Sequence, residues 1–240
     1  ALGGESPQIN VLVFVNETVA LINQSAPPVY VEGLSFLGGT RGFWMNNALG
    51  GPTARHVLKN CRLLYASDPT LGNALTVAGM SEVITDGCLA GYAMRDGFNY
   101  HSANGVIPKA IEIDDVGKWN GNEVMPSGNN NGSTMHDAGT ILRIGGEYFQ
   151  NEGPNIADIG GSRIWNVASD AHDSRRVGSS ITKADHYNSG SLSWTYRGRA
   201  AGSPYAVVAT TDGVSLLDDF TDDGGVHEST GATIGTYRQN

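Results

Sequence analysis

Two histidines, His101 and His136, occupy the same place in two copies of a glycine-headed frame, GFNYHS from Gly97 and GSTMHD from Gly132. Each follows a large apolar residue, Tyr100 or Met135, at the fourth position of its frame. If that apolar residue turns inward on a strand, its neighbours turn outward. His101, His136, Asn99 and Thr134 then share one surface, with Asn155 from the next copy, GPNIAD. Asp96 and Glu152 directly precede their glycines, and Asp137 and Asp158 close their frames. The chemistry such a cluster offers is proton transfer. Two neighbouring imidazoles disfavour double protonation and leave one neutral, fit to act as a base. A base beside a cation, Arg143 or a metal ion, suits removal of the proton next to a sugar carboxylate, the cation stabilising the enolate-like charge. Two of Asp96, Asp137, Glu152 and Asp158 acting as acid and base suit hydrolysis of a glycosidic bond. The same residues also read as a solvated polar face, and that alternative stays open.

Other candidates are thinner. His172, His186 and His227 fall near corners or the C-terminus, where exposure explains them. Oxygen ligands for calcium could come from Asp114, Asp115, Asp158, Asp170 and Asp173. Zinc needs His or Cys convergent at short spacing, a pattern that is missing, as are a nucleophile elbow, a phosphate-binding loop and a dinucleotide fingerprint.

The elements that position the histidines are strands of a repeat. The frame recurs from Gly42, Gly72, Gly97, Gly132, Gly153, Gly178, Gly202 and Gly231, at intervals of 21–35 residues. A unit of that length repeated along a chain marks a solenoid. The fourth positions, Met45, Leu75, Tyr100, Met135, Ile156, Ile181, Tyr205 and Ile234, are expected to form one inward column. A second strand follows each frame, in runs such as HVLKNCRLLYA, KAIEIDDVG and TILRIGGEYF, bounded by Gly, Asp and Asn turns. Residues 8–31 lack the frame and read as two strands of an opening coil or cap, and 31–240 as regular coils of a single domain. Cys61 and Cys88, 27 residues apart, are expected to stack as buried thiols on adjacent coils. The long Gly97–Gly132 interval carries an insertion, residues 117–133 with Trp119, which is either part of a binding face or a tolerated loop. Stacking is required because one coil cannot bury its own apolar face. The expected fold is all-β, a right-handed parallel β-helix of about eight coils.

Composition narrows the function classes. With 33 glycines in 240 residues and 16% charged residues, the chain suits an all-β fold rich in turns. A net charge of −9 argues against nucleic acid, and no apolar run approaches a membrane span. The frame, coil length and Asn/Gly-rich corners resemble the pectin-lyase-like superfamily of polysaccharide lyases, uronan epimerases, glycoside hydrolases and phage tailspike depolymerases. Within it, DGFNYH, Asp96 to His101, is similar to the YGFDPH motif of uronan C5-epimerases. Gly97, Phe98 and His101 match; Asp96, Asn99 and Tyr100 stand where the motif has Tyr, Asp and Pro. The resemblance implies His101 as a candidate base, a polysaccharide partner and an extracellular or virion-associated setting; the residues expected to bind that partner are Asn99, Asn155 and Thr134 of the outward patch, with Arg143 and Trp119. Two other readings compete with an enzyme: a non-catalytic glycan binder stacking sugars on Trp44, Trp119, Trp165 or Trp194, and a structural rod. The chain finishes soon after its last frame, so the terminal coil is expected to be covered by another subunit, in a homotrimer by likeness to tailspikes, or by a further domain.

Overall fold

A computed structural model describes residues 10–12, 19–22, 28–48, 50–121, 130–174 and 179–237. Among them, 27 short strands, numbered β1 to β27 in chain order, form three sheets of nine. Every third strand belongs to the same sheet and pairs in parallel with its predecessor. One coil therefore takes one strand from each of sheets A, B and C, and nine coils stack. Crossovers between parallel strands are right-handed for steric reasons. The chain is a right-handed parallel β-helix. Eight coils were expected; the ninth comes from β1 (Asn10–Leu12), β2 (Val19–Ile22) and β3 (Tyr30–Glu32), which pair with the second coil without any glycine frame. At the other end, β26 (Val226–Thr230) and β27 (Thr233–Tyr237) belong to the last coil itself and do not fold back over it.

Each coil has three strands where the sequence suggests two, because one corner is only two residues long. Asn60-Cys61, Gly87-Cys88, Asp114-Asp115, Gly145-Gly146, Ala168-Ser169 and Arg197-Gly198 each join a sheet C strand to a sheet A strand. The first residue of each pair has φ between 50° and 65°. That left-handed conformation reverses the chain in the smallest space, and here the fold imposes it on Asn, Asp, Ala and Arg as well as Gly. The second residue turns inward, which stacks Cys61, Cys88 and Asp115. Both thiols are free and buried, and the Cys88 amide donates to Asp115 Oδ1 at 2.7 Å.

The glycine frame tracks sheet B in only some coils. Gly42, Gly97 and Gly132 each stand one residue before their strands, β5 (Phe43–Asn46), β11 (Phe98–His101) and β14 (Ser133–Met135). A Cβ at Gly97 would lie 2.5 Å from the Gly132 carbonyl oxygen, so no side chain fits there. Met45, Tyr100 and Met135 share one inward column, with Val77 between the first two. Leu75 and Ile156 also face inward but two residues away, in register with Phe43, Phe98 and Ser133. Ile181 lies in a short 3-10 turn, Tyr205 opens β23 (Tyr205–Thr210), and Ile234 belongs to sheet C. Register follows the face each strand buries, and the glycine ahead of it sits where the preceding turn needs room.

The interior changes character along the rod. Early coils bury Phe43, Met45, Leu58, Leu63, Leu75 and Phe98. In later coils one of the two inward positions of sheet C becomes polar, while the other keeps Ala110, Ile141 and Ile164 in the core. β12 (Lys109–Ile113), β15 (Thr140–Ile144), β18 (Arg163–Val167) and β21 (Leu192–Tyr196) turn Glu112, Arg143, Asn166 and Thr195 inward. Their apolar partners Ile111, Leu142, Trp165 and Trp194 face outward. The buried charges pair with one another, although Arg143 Nη2 is left without a partner among the described residues. Arg143 Nη1 donates to Asp158 Oδ1 at 2.9 Å and to Asn166 Oδ1 at 3.1 Å; its Nε donates to Ser133 Oγ at 3.0 Å and lies 3.3 Å from Glu112 Oε2. Ser133 and Tyr148 hydroxyls donate to Glu112, and Ser193 donates to Asp158.

A second buried series runs through the corners between sheets A and B. Asn120 Nδ2 donates to Asn151 Oδ1 at 2.9 Å, Asn151 to Asn155 Oδ1 at 2.9 Å, and Asn155 to Asp185 Oδ1 at 2.8 Å. Ser203 adds a fourth donor in the series, while Asp185 Oδ2 is buried without a partner. Burial outweighs these hydrogen bonds and pushes the Asp185 carboxyl up to about 8. A carboxyl raised in the folded state stabilises the protein fully below its unfolded value near 3.8, and that contribution is lost as pH rises toward 8. Asp185→Asn should therefore raise stability at pH 7, by up to about 4 kcal/mol, and do nothing near pH 4. Urea titrations at both pH values test this; an equal effect at the two would contradict it.

Candidate functional site

The outer face of sheet B carries a cleft of about 490 Å³. Its floor is one outward column of three successive strands, Trp44, Thr76 and Asn99. One wall is the corner between sheets A and B, which contributes Arg41, Thr70, Leu71, Asn73 and Arg95; the other holds His101, His136 and Asp137. The first wall is held by local hydrogen bonds. Asp68 Oδ1 accepts from the Thr70 and Leu71 amides and from the Thr70 hydroxyl, at 2.7–2.8 Å, and Arg95 donates to the Thr70 carbonyl.

A repeated pair underlies the floor. Asn73 Nδ2 donates to Thr76 Oγ1 at 3.0 Å, Asn99 Nδ2 to Asp96 Oδ2 at 2.5 Å, and Asn131 Nδ2 to Thr134 Oγ1 at 2.8 Å. The first member of each pair also links coils: Asn73 Oδ1 accepts the Asp96 amide, and Asp96 Oδ1 accepts the Asn131 amide. The next residue in that register is Pro154, which has no N–H. Asn131 Oδ1 is accordingly buried without a partner.

The two histidines are in different states. His101 is half-buried, and its Nδ1 lies 3.2 Å from the Ser102 carbonyl oxygen, which can only accept. Nδ1 is therefore the donor, which in the neutral ring leaves the lone pair on Nε2. His136 Nε2 lies 3.5 Å from Asn99 Nδ2, a donor, so it accepts and the ring is neutral. Burial holds the His136 pKa below its ordinary value; Asp96 and Asp137 oppose the shift, and His101 and Arg95 reinforce it. Asp96 is raised, chiefly by burial. Asp137 Oδ2 accepts from the Ser102 amide and hydroxyl at 3.1 and 3.3 Å, which fixes the rim beside His101.

The structure thus brings together His101, His136, Asn99 and Asp137, with Asp96 buried behind them. It disperses the others. Asp158 pairs in register with Met135, faces the interior and binds Arg143, so neither lies at the cleft. Asn155 is inside the rod in the asparagine series. Thr134 is fully buried, and Glu152, 7% exposed, is not part of the lining. Trp119 stands on another side, stacked on Tyr92 at 6.3 Å, which stacks on Tyr65 at 5.2 Å. In the insertion, residues 122–129 lie outside the described residues. The five aspartates considered for calcium do not converge: Asp115 and Asp158 are buried in separate hydrogen-bond sets, and no group of three or more metal-ligating side chains forms among the described residues. Sequence reasoning passed over Arg41, Arg95, Asn73 and Thr76. The pairs NALT, DGFN and NGST were the available signal, since residues three apart across a turn into a strand recur at one register.

Fold and cleft together define a parallel β-helix with a polar, cationic groove on one sheet. No family model matches the sequence, and no curated protein matches it as a relative. Among solved structures, pectate lyase Pel9A superposes with a TM-score of 0.55 at 12% identity, covering 96% of this chain and 68% of that one. At that identity the likeness concerns the fold. No helix among the described residues is long and apolar enough to cross a membrane.

Proposed function

We propose that the protein is an extracellular or virion-associated carbohydrate-active β-helix that cleaves an acidic polysaccharide laid along sheet B, by β-elimination. The observation that carries this reading is the content of the cleft: an imidazole with a free Nε2, two arginines and one tryptophan face one space, with Asp137 the only lining carboxylate among the described residues. His101 takes the proton next to the uronate carboxylate, and Arg41 or Arg95 neutralises the charge that develops there. Trp44, with the Arg41 guanidinium 4.1 Å from its ring centroid, offers a surface for a sugar ring. Hydrolysis needs two carboxyls across the scissile bond, and a single lining carboxylate disfavours it. The likeness to a pectate lyase accords with elimination without assigning it. Retention of a glycan without cleavage is a second reading, favoured by the stack of Tyr65, Tyr92 and Trp119, whose two tyrosines are 52% and 40% exposed.

The test is incubation with a panel of uronic-acid and neutral polysaccharides, following ultraviolet absorbance and reducing ends. New absorbance from unsaturated sugar supports elimination. Reducing ends without absorbance select hydrolysis, binding alone selects the second reading, and no interaction with any glycan overturns the proposal.

A further inference from the structure

Sheet C presents an unusually apolar outer face. Its outer face carries a continuous apolar column, Ile84, Ile111, Leu142, Trp165, Trp194 and Leu216, in direct register across six strands. Leu192 and Ile144 flank it, 47% and 39% exposed. Behind Ile111, Leu142, Trp165 and Trp194, the inner column is Glu112, Arg143, Asn166 and Thr195, all buried. Along this pair of columns the sheet is more apolar on its solvent side than on its core side, the reverse of a sheet with one wet face, although the second inward column keeps Ala110, Ile141 and Ile164 in the core. Contiguous apolar surface of this kind marks an interaction site.

We propose that this face docks a second copy of the same chain, with the two rods antiparallel. The match is built into the repeat: two such sheets share one strand spacing, so their ridges are commensurate along the whole contact. Charge selects the orientation. A two-fold axis along the rods would bring these early coils into the contact and bury the ion pairs Arg55–Glu82 (2.8 Å) and Lys59–Asp86 (3.0 Å) on both copies, at a desolvation cost. A two-fold axis parallel to the strands, between β18 and β21, leaves both ion pairs in water. It lays Trp165 on the partner's Trp194 and Leu142 on the partner's Leu216, and sets Arg163 against leucine. The overlap is the six strands from β12 to β27, which leaves Ile84 outside it and sets Ile111 on the partner's Gly235; at about 4.8 Å per strand and five residues of about 3.3 Å, it gives a flat footprint of roughly 450–500 Å² per copy. Both copies together bury about 1,000 Å² before side-chain relief is counted, which reaches the lower bound for a specific interface. The cleft on sheet B stays open in this dimer, so the assembly and the proposed activity fail independently.

Sedimentation velocity of the intact chain across a concentration series should show a monomer–dimer equilibrium. Trp194→Lys and Leu142→Lys, both outward-facing, should weaken it at least tenfold while circular dichroism stays unchanged. If either variant misfolds, hydroxyl-radical footprinting of the unmodified protein decides: oxidation of Trp165 and Trp194 should fall as concentration rises. A wild-type monomer at about 100 µM, a trimer, a dimer indifferent to both substitutions, or concentration-independent oxidation would overturn the proposal.

Discussion

Arg143→Ala should destabilise the fold by about 3–5 kcal/mol, the cost of leaving buried charges unpaired. Arg143 is fully buried between Glu112 and Asp158, which are themselves 1% and 3% exposed. Burial alone would lower the arginine pKa, yet Asp158 and Glu112 overcome it and hold the guanidinium charged. Alanine removes the one cation and strands two carboxylates in the lumen. The prediction has a second part, because the ions need not be net stabilising as a set. Arg143→Met combined with Glu112→Gln and Asp158→Asn should be more stable than Arg143→Ala, since no charge is then left buried. Denaturant unfolding of the single and triple variants measures both. A single-variant loss below about 1 kcal/mol would show that water or rearrangement relieves the carboxylates, and would contradict the closed network.

His101→Ala should lower kcat/KM on the cleaved glycan by about 100- to 10,000-fold, the usual range for loss of a general base. Because His101 is half-buried and its hydrogen bond is to the neighbouring Ser102 carbonyl, the thermal midpoint should hardly move. His136→Ala is the informative comparison. His136 accepts from Asn99 and is held neutral by burial, so its removal disturbs the Asp96–Asn99 pair and should cost stability as well as rate. A His101→Ala protein with unchanged kcat/KM would return that side chain to the solvated face and leave the arginines as the chemistry of the groove.

The local signals in this chain were strong enough to read the architecture. Short β-rich runs broken by Gly, Asn and Asp cannot bury a face alone, so a repeat of about 25 residues has to stack. The pairing of Tyr100 with Met135 follows from that, and it places His101 and His136 side by side at the end of those strands. The NALT, DGFN and NGST pairs are equally local, because a turn residue and a strand residue three positions later reach one another whatever surrounds them.

Only the tertiary structure decided the rest. The third strand of each coil is hidden in the sequence because a two-residue corner accepts Asn, Asp, Ala or Arg once neighbouring coils hold the chain in a left-handed turn. The runs KAIEI, TILRI and RIWNV alternate with a period of two, and such alternation does not say which set of side chains faces inward. A shift of one residue exchanges the sets, and the choice rests on register with adjacent coils. There Arg143 meets Glu112 and Asp158, from different strands and sheets, and their mutual pairing lets each buried set carry one polar residue beside an apolar one, Glu112 beside Ala110, Arg143 beside Ile141 and Asn166 beside Ile164. That non-local choice keeps Asp158 and Arg143 out of the groove and turns Leu142, Trp165 and Trp194 outward; Arg41 and Arg95 reach the groove separately, from the corner between sheets A and B.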